Sequence, residues 1–240
     1  MKSYDLLTPV GTNDLLFEDC IVRREAEERL RKIFETRGYC EIITPELEFF
    51  DVFNLNSKYF PQENLYKLTD SKGRLLVMRP DSTMPIARVV ATRLRDAMLP
   101  LKLCYNQTVY RTEPALKGRS DEIVQTGIEL IGSQLKIANI EVISTAVDSL
   151  KSFGMEFSLE IGHIGIFKEL VGKLEATENT KEKIRLLIET KNFPALNDLL
   201  DTLGNNPITN ALKKLPALFG GEEVFEKAKE LIPDENIRCL

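Results

Sequence analysis

Two strand-like segments in the middle of the chain carry polar side chains suited to binding a small charged ligand. The predicted strands are residues 101–113 and 122–132, on either side of a loop at 114–121. Because side chains alternate faces along a strand, Arg111 and Glu113 point the same way, as do Gln125 and Glu129 across the turn. One sheet face therefore collects two carboxylates, an amide and a guanidinium, which an apolar core would not tolerate unpaired.

These side chains suit the recognition of charged groups. Arg111 and Arg119 have the forked geometry that binds phosphate oxygens, and Glu113 is an acceptor for an amine. A second interpretation stays open at this point. Exposed faces of antiparallel sheets are commonly polar, so the same residues also fit a solvated face with ion pairs.

A second constellation, Arg79-Pro80-Asp81-Ser82-Thr83, lies where an apolar strand is predicted to end and a helix to begin. Asp81 or Ser82 in this position suits the N-terminal cap of the helix. A carboxylate and a hydroxyl at such a corner also suit an ammonium group, as an amino-acid ligand would offer. The local pattern favours the cap but leaves both interpretations open.

The elements around these residues predict an α+β fold with an antiparallel sheet. Apolar residues at Val22, Ala26, Leu30 and Ile33 have the spacing of an amphipathic helix, which Gly38 ends. Short strands are predicted at 39–44, 47–52, 65–70 and 74–79, the last two joined by a glycine-containing turn. Further helices near Thr83 and at 140–150 precede a strand at 155–163. Residues 164–240 then read as a helical insertion beside a core at 1–163.

Composition narrows the classes of protein that remain. The 240 residues include 43% hydrophobic and 29% charged side chains, which is typical of a globular chain rather than a disordered one. The net charge of −5 disfavours a protein whose whole surface binds the phosphate backbone of a nucleic acid. The four cysteines contain no CxxC pair, so free thiols are expected. No apolar run of membrane-spanning length and no signal peptide is seen, which predicts a cytoplasmic protein.

The order of the motifs resembles the histidyl-tRNA synthetase family, which implies the class II aminoacyl-tRNA synthetase fold of an antiparallel sheet flanked by helices. The motifs are Arg-Pro-Asp-x-Thr (79–83), Tyr-Arg-x-Glu-Pro with Lys-Gly-Arg (110–119), and Gln-x-Gly-x-Glu (125–129). Two earlier blocks, at 8–14 and 38–46, are similar to the entry segment and the dimer-forming first motif of that family. Five blocks in order are far more specific than any one of them.

Within this family, the sequence at 79–88 and 125–132 more closely resembles the branch that regulates ATP phosphoribosyltransferase in histidine biosynthesis. The resemblance implies a histidine-binding set and a vestigial nucleotide-binding set, with no catalytic residue and no metal ligand. The histidine-binding set is Asp81, Thr83, Gln125 and Glu129. The vestigial nucleotide-binding set is Arg111, Glu113 and Arg119.

Departures from the synthetase pattern imply loss of catalysis. Asp121 stands where a synthetase tends to carry a basic residue, and Ile123 where the family prefers an aromatic one. The third motif, the histidine loop and an anticodon-binding domain are not found before Leu240. A core incomplete at its C-terminus would leave a sheet edge unpaired, so we expect a fragment or a partner that covers this edge.

The resemblance therefore implies a non-catalytic regulatory subunit that senses histidine. The expected partners are a short-form ATP phosphoribosyltransferase catalytic subunit, histidine itself and a second copy bound through Gly38 to Glu46; tRNA and membranes are not expected. No cofactor is expected, with ATP or Mg²⁺ relevant only if synthetase activity is retained. The alternatives are the N-terminal catalytic portion of a histidyl-tRNA synthetase and a dimerising scaffold without a ligand.

Overall fold

The computed structural model describes residues 5–54, 60–112, 120–162 and 164–231. The chain forms two compact units, Met1–Ser158 and Leu159–Leu240, so the division falls slightly before the predicted boundary at residue 163. Within the described ranges, no helix is long and apolar enough to cross a membrane. The cysteines in these ranges, Cys20, Cys40 and Cys104, are free thiols, as predicted.

Over its described residues, the first unit has two three-stranded sheets. The strands are β1 (Cys40–Glu41), β2 (Leu47–Phe49), β3 (Lys67–Thr69), β4 (Leu75–Met78), β5 (Leu101–Tyr110) and β6 (Glu122–Ile131). One sheet has the order β1-β5-β6 and the other β2-β4-β3. The predicted hairpins are confirmed, because β3 pairs antiparallel with β4 and β5 antiparallel with β6. Within the described residues, β6 pairs with β5 alone and so forms a sheet edge.

The described residues of the first unit form four α-helices: α1 (Glu18–Thr36), α2 (Phe50–Asn54), α3 (Thr83–Thr92) and α4 (Lys136–Lys151). Helix α1 ends as the sequence predicts, because Gly38 adopts φ +80° and donates its amide to Glu35. Its apolar stripe packs Phe34 against Tyr39 and Cys104. Arg37 then ties α1 to α4 through hydrogen bonds to Ser144 and Thr145 and an ion pair with Asp148.

The sheet β1-β5-β6 is covered on both faces. Cys104 lies in the cluster under α1, whereas Leu103 and Tyr105 pack against Ile86 of α3. Since neighbouring residues of a strand face opposite sides, α1 and α3 lie on opposite faces of the sheet. The α3 side is the face that carries Gln125 and Glu129, because Leu103 is paired with Glu129.

Three predicted strands are wrong in part or in full, since the run at 39–44 is a strand only over Cys40–Glu41. The run at 47–52 is a strand only over Leu47–Phe49 and then turns into α2. The alternating segment at 155–163 forms no strand over its described residues, 155–162. A strand requires a neighbour to complete its hydrogen bonds, and no described strand pairs with this segment. Alternation alone therefore predicted a strand that lacks the pairing to form one.

The second unit is helical in its described part. Its helices are α5 (Ile164–Gly172), α6 (Glu178–Glu189), α7 (Phe193–Thr202), α8 (Pro207–Lys214) and α9 (Glu223–Leu231). Leu170, Ile184, Leu196 and Leu212 are fully buried at its centre, so the unit has its own hydrophobic core. Asn206 caps α8 through a reciprocal hydrogen-bond pair with Thr209.

We expect Gly127→Ala to destabilise the protein by about 1–3 kcal/mol, since a Cβ at this position overlaps the ring of Tyr105. The added atom would lie 2.7 Å from the Tyr105 hydroxyl oxygen. Urea unfolding monitored by circular dichroism measures the change. Gly172→Ala in α5 is the control, because nothing lies within 4 Å of its added Cβ. Equal effects of the two substitutions would contradict the close approach.

Candidate functional site

The polar residues singled out from the sequence lie on the α3-facing side of the β5–β6 hairpin. The register pairs Leu103 with Glu129, Tyr105 with Gly127, and Gln107 with Gln125. Gln125 and Glu129 are therefore on one face, as the alternation of side chains predicts. This face is only partly apolar, and its polar end meets the N-terminus of α3.

The corner before α3 brings Asp81, Ser82 and Thr83 to this face. Strand β4 ends at Met78 and α3 begins at Thr83. The carboxylate of Asp81 accepts a hydrogen bond of 3.1 Å from the amide of Met84, so the capping interpretation holds for Asp81. The hydroxyl of Ser82 does not cap the helix. It is fully buried and has no hydrogen-bond partner among the described residues.

Two hydrogen bonds join the corner to the hairpin. The hydroxyl of Thr83 donates to Glu129 at 2.6 Å, and the amide of Ser82 donates to the side-chain oxygen of Gln125 at 3.2 Å. The four residues predicted to bind histidine are thus brought together. Thr83 stays exposed and the other three are partly exposed, so the group forms a half-open shelf rather than a closed core.

Glu129 carries the clearest electrostatic signature of the site. Its pKa is raised, first because burial disfavours the carboxylate and then because the charge of Asp81 repels it. The hydrogen bond from Thr83 acts in the opposite direction and lowers the pKa. A cationic ligand between the two acids would relieve both the desolvation and the repulsion.

Arg111 lies at the other end of the shelf. Its Nε donates to the carbonyl of Pro80 at 2.5 Å, and one of its terminal nitrogens is 3.9 Å from Asp81 Oδ2. Arg111 and Asp81 border a cavity of about 320 Å³. Phe60, Leu65 and Thr112 also line it. Glu113 and Arg119, the other residues predicted for nucleotide binding, lie outside the described residues.

Tyr105 belongs to the site and was missed by the sequence argument. Burial and the nearby charges of Glu129 and Asp81 raise the pKa of its phenol to about 12, so a neutral hydroxyl faces the acids. Its ring fits because Gly127 stands directly opposite on β6. A large aromatic residue paired with glycine in the predicted ladder was the available signal, but it required the register.

A group of buried polar residues supports the turn between β4 and α3. Arg79 is 3% exposed and donates to the carbonyls of Thr44 at 2.6 Å, Pro45 at 3.1 Å and Thr108 at 2.7 Å. Thr44 in turn donates to the buried side chain of Gln107 at 2.8 Å. Desolvation lowers the pKa of Arg79. These contacts hold the end of β4 against β5 and so fix where Asp81 begins the turn into α3.

The arrangement provides acceptors for an ammonium or an imidazole N–H, and one guanidinium for an anionic group. Nothing in the described part of the chain groups three or more histidine, cysteine or acidic residues in a way that could hold a metal ion. Of the residues predicted for nucleotide binding, Arg111 is described, and the carboxylate of Asp81 lies 3.9 Å from its guanidinium. The described residues therefore offer partners for both charges of a small zwitterion.

Comparison with known proteins identifies the class. The family model described as Histidyl-tRNA synthetase matches residues 11–238. A histidyl-tRNA synthetase structure from Staphylococcus aureus aligns with a TM-score of 0.54 at 27% identity, over 63% of this chain and 40% of that one. The chain belongs to the histidyl-tRNA synthetase family, and the predicted family and class II fold are confirmed.

Relatives that match nearly all of this chain are named as regulatory subunits. The ATP phosphoribosyltransferase regulatory subunit of Clostridium kluyveri is 46% identical over 95% of this chain and 59% of the relative. A Bacillus halodurans structure titled ATP phosphoribosyltransferase regulatory subunit/histidyl-tRNA synthetase has a TM-score of 0.89 and 31% identity, over 100% of this chain and 62% of that one. The chain thus spans less than two thirds of the length of these relatives.

We expect Glu129→Gln to stabilise the unliganded protein at neutral pH by roughly 0.5 kcal/mol, a modest value because solvent screens a half-buried carboxylate. The raised pKa means that ionised Glu129 costs stability in the folded state. The gain should shrink as the pH falls through this raised pKa and vanish below the ordinary value of 4.5, where both states are protonated. Thermal unfolding of both proteins across pH 4–8 measures it. A variant less stable than its parent at neutral pH would contradict the assignment.

Proposed function

We propose that this chain is the synthetase-like part of a regulatory subunit of ATP phosphoribosyltransferase, and that it senses histidine without catalysing a reaction. The observation that carries the proposal is the meeting of Asp81, Thr83, Gln125 and Glu129 on one shelf. The names of the curated relatives support the same function.

Histidine offers hydrogen-bond donors that match the acceptors of the shelf. Its ammonium supplies hydrogen-bond donors to Asp81 and Gln125, and its imidazole N–H is a donor for Glu129. Both acids gain from a cationic or donor group, because Glu129 is held at a raised pKa beside Asp81. The hydroxyl of Tyr105 stays neutral at physiological pH, because its pKa is raised to about 12, and so adds a hydrogen-bond donor to the site.

Regulation then follows from linkage. Histidine shifts an equilibrium only if it binds one state of the complex more tightly than another. The contacts of Thr83 with Glu129 and of Ser82 with Gln125 are the ones that a ligand on the shelf would replace. We therefore place the structural difference between the empty and occupied states at the junction of α3 with the hairpin.

The proposed catalytic partner is a short-form ATP phosphoribosyltransferase subunit. We expect the two proteins to co-purify, and we expect histidine to change the activity of the complex in a saturable way. Asp81→Asn and Gln125→Leu should each weaken histidine binding by about tenfold or more, as measured by calorimetry. Each substitution removes a partner of the charged ammonium group of bound histidine. Glu122→Gln on the other face of β6 is the control and should bind as the parent does. Failure to co-purify, together with no histidine binding, would sink the proposal.

A synthetase function is the alternative, since solved histidyl-tRNA synthetases share this fold. It requires histidine-dependent exchange of pyrophosphate into ATP, which a regulatory subunit does not perform. The exchange assay on the protein with and without the Arg111→Gln substitution separates the two functions. Exchange that depends on Arg111 would establish the synthetase.

The homodimer is proposed through Gly38 to Glu46. Among the strands that the structure describes, β1 in this segment pairs with β5 alone and is a sheet edge, and Ile43 is 78% exposed beside the buried Thr44. Apolar side chains exposed beside an open edge are typical of interfaces.

We expect Ile43→Asp to convert a dimer into a monomer, because the substitution buries an unpaired charge in the interface. Light scattering coupled to size-exclusion chromatography measures the mass. Met98→Asp is the matched control, since Met98 is 91% exposed outside this segment. A parent that is monomeric, or an Ile43→Asp variant that stays dimeric, would exclude this interface.

A further inference from the structure

Helix α3 is held to strand β2 by an ion pair that lies beyond the shelf. Arg88, in the second turn of α3, donates from Nε to Glu48 Oε2 at 2.9 Å and from a terminal nitrogen to Glu48 Oε1 at 2.5 Å. Each carboxylate oxygen of Glu48 thus accepts a hydrogen bond from the same guanidinium. Such a forked pair fixes the relative orientation of the two side chains as well as their distance.

Glu48 faces inward on β2, where an apolar residue is usual. Glu48 is 6% exposed, whereas its neighbours Leu47 and Phe49 are 48% and 44% exposed. It is paired with Val77 of β4, which is fully buried. The strand therefore carries its acid inside and its apolar side chains outside, the reverse of the usual alternation. Because a buried carboxylate is costly without a partner, the ion pair with Arg88 keeps Glu48 in this position.

The apolar contacts of α3 hold the helix against its neighbours on two sides. Ile86 lies in one apolar cluster with Leu103 and Tyr105, and Met84 packs against a second cluster, which contains Val77. Apolar contacts are non-directional, so they constrain the rotation of the helix about its axis less strictly than its distance. The forked ion pair is directional and supplies the constraint on rotation.

The rotation of α3 decides whether the shelf forms. Thr83 is the first residue of α3 and Arg88 the sixth, so they lie about 7.5 Å apart along the helix axis. Side chains extend to about 5–6 Å from the axis, so a rotation of about 20° moves the Thr83 hydroxyl by roughly 2 Å. This shift would break its hydrogen bond of 2.6 Å to Glu129. The bond from the Ser82 amide to Gln125 is already 3.2 Å long and tolerates less movement.

The strand side of the turn into α3 is held by residues close to Glu48. The amide of Arg79 donates to the carbonyl of Glu46 at 2.8 Å, and its guanidinium donates to the carbonyl of Thr44 at 2.6 Å. One short segment therefore holds the turn from the strand side through Arg79 and from the helix side through Arg88. The two ends of the turn cannot move independently of this segment.

We infer that Glu48 is a positioning residue for the shelf. Through Arg88 it sets the rotation of α3, and so holds Thr83 against Glu129 on the hairpin. The effect of Glu48 on ligand binding rests on the proposed function, because the ligand would contact the shelf itself. Its effect on the hydrogen bonds of the shelf stands on the contacts of α3 alone.

Hydrogen exchange of the Ser82 amide, followed by NMR, tests the positioning without a ligand, because exchange requires the bond to Gln125 to open. We expect Arg88→Lys to raise the exchange rate at least about fivefold, since lysine keeps the charge beside Glu48 but cannot form the fork. Glu48→Gln should raise it at least as much, because its NH₂ group cannot accept the second hydrogen bond.

Asp148→Asn is the matched control, because it removes an ion pair with Arg37 at the end of α1 rather than at α3. It should leave the exchange rate of the Ser82 amide unchanged. Circular dichroism and thermal unfolding establish that each variant is folded. Arg88→Lys decides the outcome if Glu48→Gln does not fold. An unchanged exchange rate in folded Arg88→Lys, or an equal increase in Asp148→Asn, would overturn the inference.

Calorimetric titration with histidine separates this inference from the proposed function. We expect Arg88→Lys and Glu48→Gln to bind histidine about fivefold or more weakly than the parent, and Asp148→Asn to bind as the parent does. A parent that does not bind histidine removes the sensor, and the exchange experiment still decides the positioning. A parent that binds histidine, with unchanged exchange and affinity in the variants, removes the positioning role and keeps the sensor.

Discussion

The antiparallel ladder between β5 and β6 is the constraint on which the rest of the site depends. Its register, from Leu101 paired with Ile131 to Tyr110 paired with Glu122, determines which side chains face α3 and which face α1. A shift of one residue would turn Gln125 and Glu129 toward α1 and place Thr126 and Ile128 at the shelf. Tyr105 opposite Gly127 opposes such a shift, because the ring occupies space that any side chain at 127 would need.

The second requirement is that the turn between β4 and α3 holds Asp81 in a fixed position relative to this ladder. Arg79 supplies it by donating to three carbonyls while almost fully buried. A buried guanidinium is costly to desolvate, and its hydrogen bonds to carbonyl oxygens offset part of that cost. The result is a rigid junction between β4 and α3. The acids of the shelf therefore stay close to each other, and burial, with the repulsion from Asp81 adding to it, raises the pKa of Glu129.

In the function proposed above, the shelf senses a ligand and does not catalyse a reaction. Its acceptors already contact Thr83 and the amide of Ser82, so a ligand exchanges existing hydrogen bonds for new ones. Such an exchange changes the contacts of α3 with the hairpin and offers a route for linkage. Catalysis of adenylation would instead need cationic groups around a phosphate. In the described part of the chain, Arg111 supplies one cation at the shelf, and Asp81 lies 3.9 Å from it.

The sequence by itself determined the family, the α+β class, the main hairpins and the residue types of the shelf, because motif order and side-chain alternation are local properties. It overpredicted the strand at 155–163, since alternation does not reveal whether a partner strand is present. Only the tertiary structure decided that Tyr105 faces the acids, that Arg79 and Thr44 support the corner, and that Glu48 pairs with Arg88 of α3. These contacts join segments far apart in the chain, and their geometry depends on packing that no local pattern specifies.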